Sequence, residues 1–405
     1  MSAASLPLPH ASPETRARVI LAGICALVLT VGLARFAYTP LLPIMRSQAG
    51  LSHVAGGWLA TINYAGYMTG ALIAASVSDL RFKYLFYRFG LVVAVISTAA
   101  MGLTDDTVLW GVLRYLSGVS STAGLLLASG LVLNWLIRNG HRPELGLHFI
   151  GLGLGVAVSG VAVAAMVEWL RWDQQWLGLG LLGAVLFVPA WRWLPPPVVT
   201  QADGSALPAS TVTPPAARWT GLLMATYFCA GFGYVISATF IVAILEKLPL
   251  LAGRGGWVWV LVGATATPSG FLWDRVARAA GQIPALLIAY ALQTVSILLP
   301  VVSDDPLLNL IGAALFGGTF VGIVSLTLTL TGRHYPDAPA KAMARMTLSY
   351  GVAQIAAPAM AGYIAAATGS YRGALAMAAA FMIAGMVLLE LLRRTDTMPD
   401  ASAGH

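Results

Sequence analysis

Residues 19–45 read VILAGICALVLTVGLARFAYTPLLPIM, an apolar run of 27 residues whose single charge is Arg35. About 20 such residues in helical conformation cross the roughly 30 Å hydrocarbon core of a bilayer. Arg16 and Arg18 stand just before the run, as they would before a secretion signal. A signal's apolar region, however, covers only about 7–15 residues and closes on a small-residue cleavage site. This run is longer and has no such site, so it reads as a retained first helix. Leu21-Ala22-Gly23 opens like a lipoprotein signal, but Ile24 occupies the position that needs a cysteine.

The rest of the chain repeats this character. Hydrophobic residues make up 58% of the 405 positions and charged residues 10%, against about 25% charged in a soluble domain. A surface so poor in charge suits lipid. The net charge of +7 does not indicate nucleic-acid binding, because the basic residues are scattered singly between apolar runs. Cys25 and Cys229 both fall inside apolar runs and read as small hydrophobes.

Apolar segments bounded by charges or turn residues predict twelve helices, at about 18–45, 54–78, 85–103, 107–137, 145–168 and 176–194, then 219–246, 256–274, 282–301, 307–332, 342–367 and 371–392. The alternating ten-residue segments of a membrane β-barrel are absent. Residues 195–218 carry three prolines in a row, the polar run Gln201 to Ser205 and Pro214-Pro215. They read as a linker. The predicted organisation is a tail at 1–17, a six-helix bundle at 18–194, the linker at 195–218, a second bundle at 219–394 and a polar tail at 395–405.

Lysine and arginine set the expected orientation. Sixteen fall on the side of the N-terminus, while Arg46, Arg171, Lys247, Arg254 and Arg372 make five on the other. Both termini are therefore expected in the cytoplasm. The two halves also echo one another. Asp105-Asp106, Gly118, Gly32 and Trp172 in the first half match Asp304-Asp305, Gly317, Gly231 and Tyr371 in the second, each at an offset of 199. Several matches in register indicate a duplicated six-helix unit whose copies run parallel.

The stretch Gly270-Phe271-Leu272-Trp273-Asp274-Arg275-Val276-Ala277-Arg278 resembles the loop signature of the major facilitator superfamily. A first-half copy keeps Asp79, Arg81 and Lys83 but has Ala75 for the glycine. Arg114 with Gly118 resembles the superfamily's helix 4 signature, whereas helix 5 lacks the Gly-Pro of its antiporter signature. The segments 32–40 and 230–240 resemble the YbfB/YjiJ-like bacterial branch. The resemblance implies a multi-pass protein of the bacterial inner membrane, a monomer working by alternating access between two bundles. It also implies that Asp79, Arg81, Asp274 and Arg275 form ion-pair latches closing the cytoplasmic face.

Two charges stand well inside predicted helices, away from the helix ends: Arg35 and Arg114. An unpaired arginine in lipid costs at least about 2.5–3.5 kcal/mol, so each needs a polar cavity or a partner. None of the sixteen acidic residues lies near a helix midpoint. A substrate anion held by a guanidinium fork would supply the missing counter-charge; a hydrogen-bond hub to backbone carbonyls or tyrosines is the alternative reading. Polar residues near helix centres complete the expected substrate set: Arg35, Tyr38, Asn63, Tyr67, Arg114, Tyr234, Tyr350 and Gln354. Tyr234 aligns with Arg35 through the repeat, Asn63 with Tyr67 and Tyr350 with Gln354 through a four-residue spacing. His148 is the candidate for proton coupling. Substrate-borne protons, exchange against a counter-anion and facilitated diffusion stay open. Trp257 and Trp259 read as an interfacial belt.

No metal cluster, cofactor motif, nucleophile–base pair or intramembrane carboxylate dyad marks an enzyme. The expected function is transport of a small organic anion. Efflux of neutral or amphipathic compounds, with both arginines in structural or coupling roles, is the alternative.

Overall fold

A computed structural model describes residues 13–141, 145–197, 215–335 and 339–395. Among them there is no strand. Twelve helices follow one another: α1 (Glu14–Gln48), α2 (His53–Ser76), α3 (Leu80–Leu103), α4 (Thr107–Arg138), α5 (Gly146–Met166), α6 (Trp172–Trp193) and α7 (Ala217–Leu245), then α8 in two pieces (Gly255–Ala266 and Ser269–Ala280), α9 (Gln282–Val302), α10 (Pro306–His334), α11 (Pro339–Thr368) and α12 (Arg372–Thr395). Ten are long and apolar enough to cross a bilayer. Most of the expected linker and of both tails lies outside the described residues.

Two features depart from the sequence reading. Helix 8, expected as one piece, is interrupted at Thr267-Pro268, where proline lacks the N–H that would continue the ladder. Trp259, expected at the interface, is 1% exposed and donates from Nε1 to the Ser159 hydroxyl at 3.2 Å. Trp257, at 60% exposure, is the one on the surface.

Helix starts repeat across the halves. Asp106 caps α4 through Val108 N (2.6 Å) and Leu109 N (3.3 Å), and Asp305 caps α10 through Leu308 N (2.9 Å). Such caps contribute about 1 kcal/mol each. Even the preceding hydroxyls match: Thr104 and Ser303 each accept from the capping aspartate's N–H at 3.1 Å.

Helices α1, α3, α5, α7, α9 and α11 begin on the side of the termini, and the others on the far side. The two sets of six meet along two seams. In one, α5 and α8 pack through glycines. A Cβ on Gly160 would stand 2.7 Å from the Gly256 carbonyl oxygen, one on Gly263 2.2 Å from Ala157 N, and one on Gly153 2.4 Å from Thr267 N. In the other, α2 meets α11: a Cβ on Gly57 would stand 2.5 Å from the Pro358 carbonyl oxygen. Thr61 Oγ1 donates to the Ile355 carbonyl at 2.8 Å and accepts from Ala359 N at 3.1 Å. Small residues permit such close approach. The far side is joined further by His53 Nδ1 and Tyr371 Oη at 3.0 Å, while Arg46 hydrogen-bonds His53 Nε2. Lys247 donates to the Gly369 carbonyl at 3.0 Å. Nearby, burial pushes the Glu246 carboxyl up to about 7, although its Oε1 accepts from Gly255 N at 2.8 Å.

Candidate functional site

At its centre α1 leaves the α-helical register. Val28–Phe36 forms a π-helical segment, all nine residues buried, and Ala37 N bonds back five residues to the Gly32 carbonyl at 2.9 Å. In that register the Arg35 carbonyl would pair with the N–H of residue 40. That residue is Pro40, which has none. An unpaired buried carbonyl is costly, and Arg114 on α4 fills the gap. Its Nη1 donates to the Ala34 carbonyl at 3.1 Å, and Nη1 and Nη2 reach the Arg35 carbonyl at 3.4 and 3.3 Å.

The neighbours of Arg114 are engaged in the same brace. The Tyr38 ring covers its guanidinium at 4.5 Å while the Tyr38 hydroxyl donates to the Gly56 carbonyl at 2.8 Å. Asn63 Nδ2 donates to the Arg114 carbonyl and to Ser117 Oγ, both at 2.8 Å. Tyr38, Asn63 and Arg114 thus spend most of their hydrogen-bonding capacity on the protein itself. Asn63 Oδ1 and Arg114 Nε stay buried without a partner.

Arg35 is differently placed. It is 5% exposed, and its guanidinium carbon sits 4.4 Å from the Tyr64 ring centroid, 4.5 Å from that of Tyr67 and 5.3 Å from that of Phe36. Desolvated cation–ring contacts contribute about 2 kcal/mol or more, so the rings offset part of the cost of burying the charge. Arg35 Nε is buried without a hydrogen-bond partner. The ion pairs among the described residues join Arg171 to Asp173, Arg372 to Asp304, and Arg393 and Arg394 to Glu390; none reaches Arg35 or Arg114.

The second half faces Arg35 with aromatic rings. Tyr234 on α7 lies within electrostatic reach of Tyr64 and Arg35. It stacks with Tyr350 of α11 at 5.8 Å, and Tyr350 stacks with Tyr227 at 4.5 Å. Phe320 and Phe316 of α10 lie 5.4 and 6.1 Å from Tyr234. Gln354 is buried one helical turn beyond Tyr350. Arg35, Tyr67, Tyr234 and Tyr350 from the expected set therefore converge. Sequence reasoning missed Tyr64 and Tyr227. Tyr64 stands three residues before Tyr67 and Tyr227 seven before Tyr234, both on the same helix face as the residue already chosen.

The remaining candidates sit apart. His148 is 1% exposed, with Nε2 2.9 Å from the Ser129 hydroxyl and Nδ1 buried without a partner. Asp79 caps α3, accepting from Arg81 N at 3.0 Å and Phe82 N at 3.3 Å. Asp274 and Arg275 are exposed on the second piece of α8. Neither aspartate is in an ion pair among the described residues, so the expected latches are not formed in this conformation. No group of metal-ligating side chains occurs among the described residues. A cavity of about 460 Å³ opens between α2, α3 and α4 on the termini side, lined mainly by alanines and leucines with Lys83 and Asn134. It contains none of the eight expected substrate residues.

Twelve helices, two sets related by a repeat, and a buried polar centre between them define the architecture of a major facilitator transporter. Over residues 27–390 the chain matches the family described as the uncharacterised MFS-type transporter YbfB, and it belongs to that family. The uncharacterized transporter mfc1 of Schizosaccharomyces pombe is 26% identical over 137 residues, 32% of this chain and 28% of mfc1. The uncharacterized MFS-type transporter YceJ of Bacillus subtilis is 27% identical over 96 residues, 24% of this chain and 25% of YceJ. The chain thus spans about a quarter of the length of these curated relatives.

Solved structures align over nearly the whole length. A mutant of the nucleoside transporter NupG superposes with TM-score 0.76 at 12% identity, covering 93% of this chain and 99% of that one. A bacterial homologue of the human lysosomal transporter Spinster, inward-facing and occupied, gives TM-score 0.68 at 14% identity, covering 95% and 98%. At these identities the likeness is one of fold.

Proposed function

We propose that this protein is a secondary transporter, active or facilitative, that moves a small organic anion across the bacterial inner membrane by alternating access between bundles at 18–194 and 219–394. The observation that carries the reading is Arg35: a guanidinium buried between the halves, held by ring faces, with Nε unpartnered and no carboxylate in an ion pair with it among the described residues. A carboxylate, phosphonate or sulfonate entering from one side would complete it. Arg35, Tyr67, Tyr234, Tyr350 and Gln354 contact the solute in this reading, and Arg114, Tyr38 and Asn63 shape the helix that presents Arg35. With both termini in the cytoplasm, as the lysine and arginine distribution supports, the joined far side is the outer face. Asp79, Arg81, Asp274 and Arg275 then act in the opposite state. His148, with one ring nitrogen unpartnered, is the candidate for coupling to protons.

A second reading is transport of a neutral, ring-bearing or amphipathic compound, favoured by the aromatic wall from Tyr227 to Phe316 and in keeping with the nucleoside specificity in NupG's name. Purified protein in liposomes decides between them. Uptake of an organic anion that disappears in Arg35→Gln supports the first. Flux of a neutral solute unaffected by that change would sink it.

A further inference from the structure

The chain has 13 tyrosines, and their hydroxyls divide by position. Tyr38, Tyr84, Tyr87, Tyr115, Tyr290, Tyr335, Tyr363 and Tyr371 each hydrogen-bond a carbonyl or another side chain outside the centre. Of the other five, Tyr64 and Tyr67 pack on Arg35, and Tyr234, Tyr350 and Tyr227 form the stack of the facing half. None of the five donates to a backbone carbonyl among the described residues, and Tyr64 and Tyr234 lie within electrostatic reach of each other and of Arg35. Buried tyrosine hydroxyls ordinarily find partners. A site built only to hold an apolar body would be served by phenylalanine, without hydroxyls to satisfy.

We propose that the transported solute is an aromatic monocarboxylate, with ring-hydroxylated members preferred; this rests on the organic-anion reading above. The charge follows from the two arginines. Arg114 is committed to the Ala34 and Arg35 carbonyls, which leaves one guanidinium and so one negative charge to neutralise. The head group follows from the planar fork of Arg35 and the rings packed on it. Rings at 4.4 and 4.5 Å lie against the guanidinium, and a flat carboxylate extends its plane through two parallel hydrogen bonds. A tetrahedral sulfonate or phosphonate keeps a third oxygen that this planar fork leaves without a donor. The ring follows from the stack Tyr234–Tyr350–Tyr227, with centroid spacings of 5.8 and 4.5 Å, which begins beside the guanidinium. An aromatic ring carried directly on the carboxylate meets that stack. The ring hydroxyl follows from the five tyrosine hydroxyls, each able to donate and accept.

The test is uptake by the full chain in proteoliposomes, with radiolabelled 4-hydroxybenzoate, benzoate, cyclohexanecarboxylate, benzenesulfonate and phthalate. The expected order is 4-hydroxybenzoate above benzoate, with cyclohexanecarboxylate and benzenesulfonate at least tenfold lower and phthalate, doubly charged, not carried. All uptake is lost in Arg35→Gln, and Tyr234→Phe lowers the ratio of 4-hydroxybenzoate to benzoate. Monodisperse elution and unchanged circular dichroism establish that each variant folds. Cyclohexanecarboxylate or benzenesulfonate carried as well as benzoate, and lost in Arg35→Gln, overturns the aromatic carboxylate and leaves the anion reading standing. Uptake of any of the five that Arg35→Gln does not change overturns both, and uptake of none overturns the proposal.

Discussion

The Thr39 hydroxyl donates to the Ala238 carbonyl at 2.6 Å, and the two residues are 199 positions apart. That is the offset of the internal repeat, so the bond joins corresponding points of α1 and α7. A residue touches its own counterpart only near the axis relating the halves. The same offset recurs away from the axis. A Cβ on Gly118 would stand 2.0 Å from the Asn63 carbonyl oxygen and one on Gly317 2.2 Å from that of Val262; Gly317 and Val262 lie 199 beyond Gly118 and Asn63. Removing the bond by Thr39→Val removes about 1 kcal/mol that favours the joined far side. Spin labels at Ala49 and Ala252, on far-side connections of the two halves, are expected to show a larger long-distance population in the variant.

Gly57 permits the α2–α11 seam. Valine there would press into the Pro358 carbonyl, 2.5 Å from the added Cβ. Backbone cannot yield as a flexible side chain can, so Gly57→Val is expected to wedge the far side apart while leaving each bundle folded. Transport should fall at least tenfold, with labels at Ala49 and Ala252 separated in most molecules. An unchanged distance distribution would count against this seam as the closure.

The two arginines should separate in their consequences. Arg114→Ala leaves the Arg35 carbonyl without a donor and removes hydrogen bonds from a charged group worth about 1.5–3 kcal/mol each. A loss of several degrees in Tm is expected. Arg35→Gln removes an incompletely paired buried charge, so Tm should hold or rise while uptake is lost. Thermal unfolding followed by intrinsic fluorescence distinguishes the two.

Glu246 gives a pH dependence of defined sign. Burial raises its carboxyl from 4.5 to about 7. A group that binds its proton more tightly when folded stabilises the fold at low pH, and that contribution fades as pH rises through the window between the two values. Tm should therefore decline between about pH 4.5 and 7 and level off above. Glu246→Gln, whose amide oxygen can still accept from Gly255 N, should flatten that slope. An identical slope in the variant would assign it to another group.

Much of this was legible in one sequence. Twelve apolar runs, a fixed offset and an arginine in the first run yielded the architecture and the central charge, because lipid imposes a length and repetition imposes a register. The role of Arg114 was not legible. It depends on a carbonyl left open by a π-helical segment meeting Pro40, and the pattern of side chains does not announce which hydrogen-bond register a backbone adopts. Trp259 was misplaced for a related reason: hydropathy places an indole near the membrane edge, and only the packing of α8 on α5 places its N–H beside Ser159. The break at Thr267-Pro268 was visible as a proline, but apolar length alone favoured a continuous helix.

The π-helical segment in α1 can be regarded as a dislocation, one extra residue accommodated in an otherwise regular lattice of hydrogen bonds. Such a defect can migrate by exchanging one bond at a time, without melting the helix. Each residue subtends about 100° around the axis, so a defect passing residue 35 would swing its side chain by roughly that angle. Arg114, clamped on the Ala34 and Arg35 carbonyls, stands where it would pin the dislocation in place.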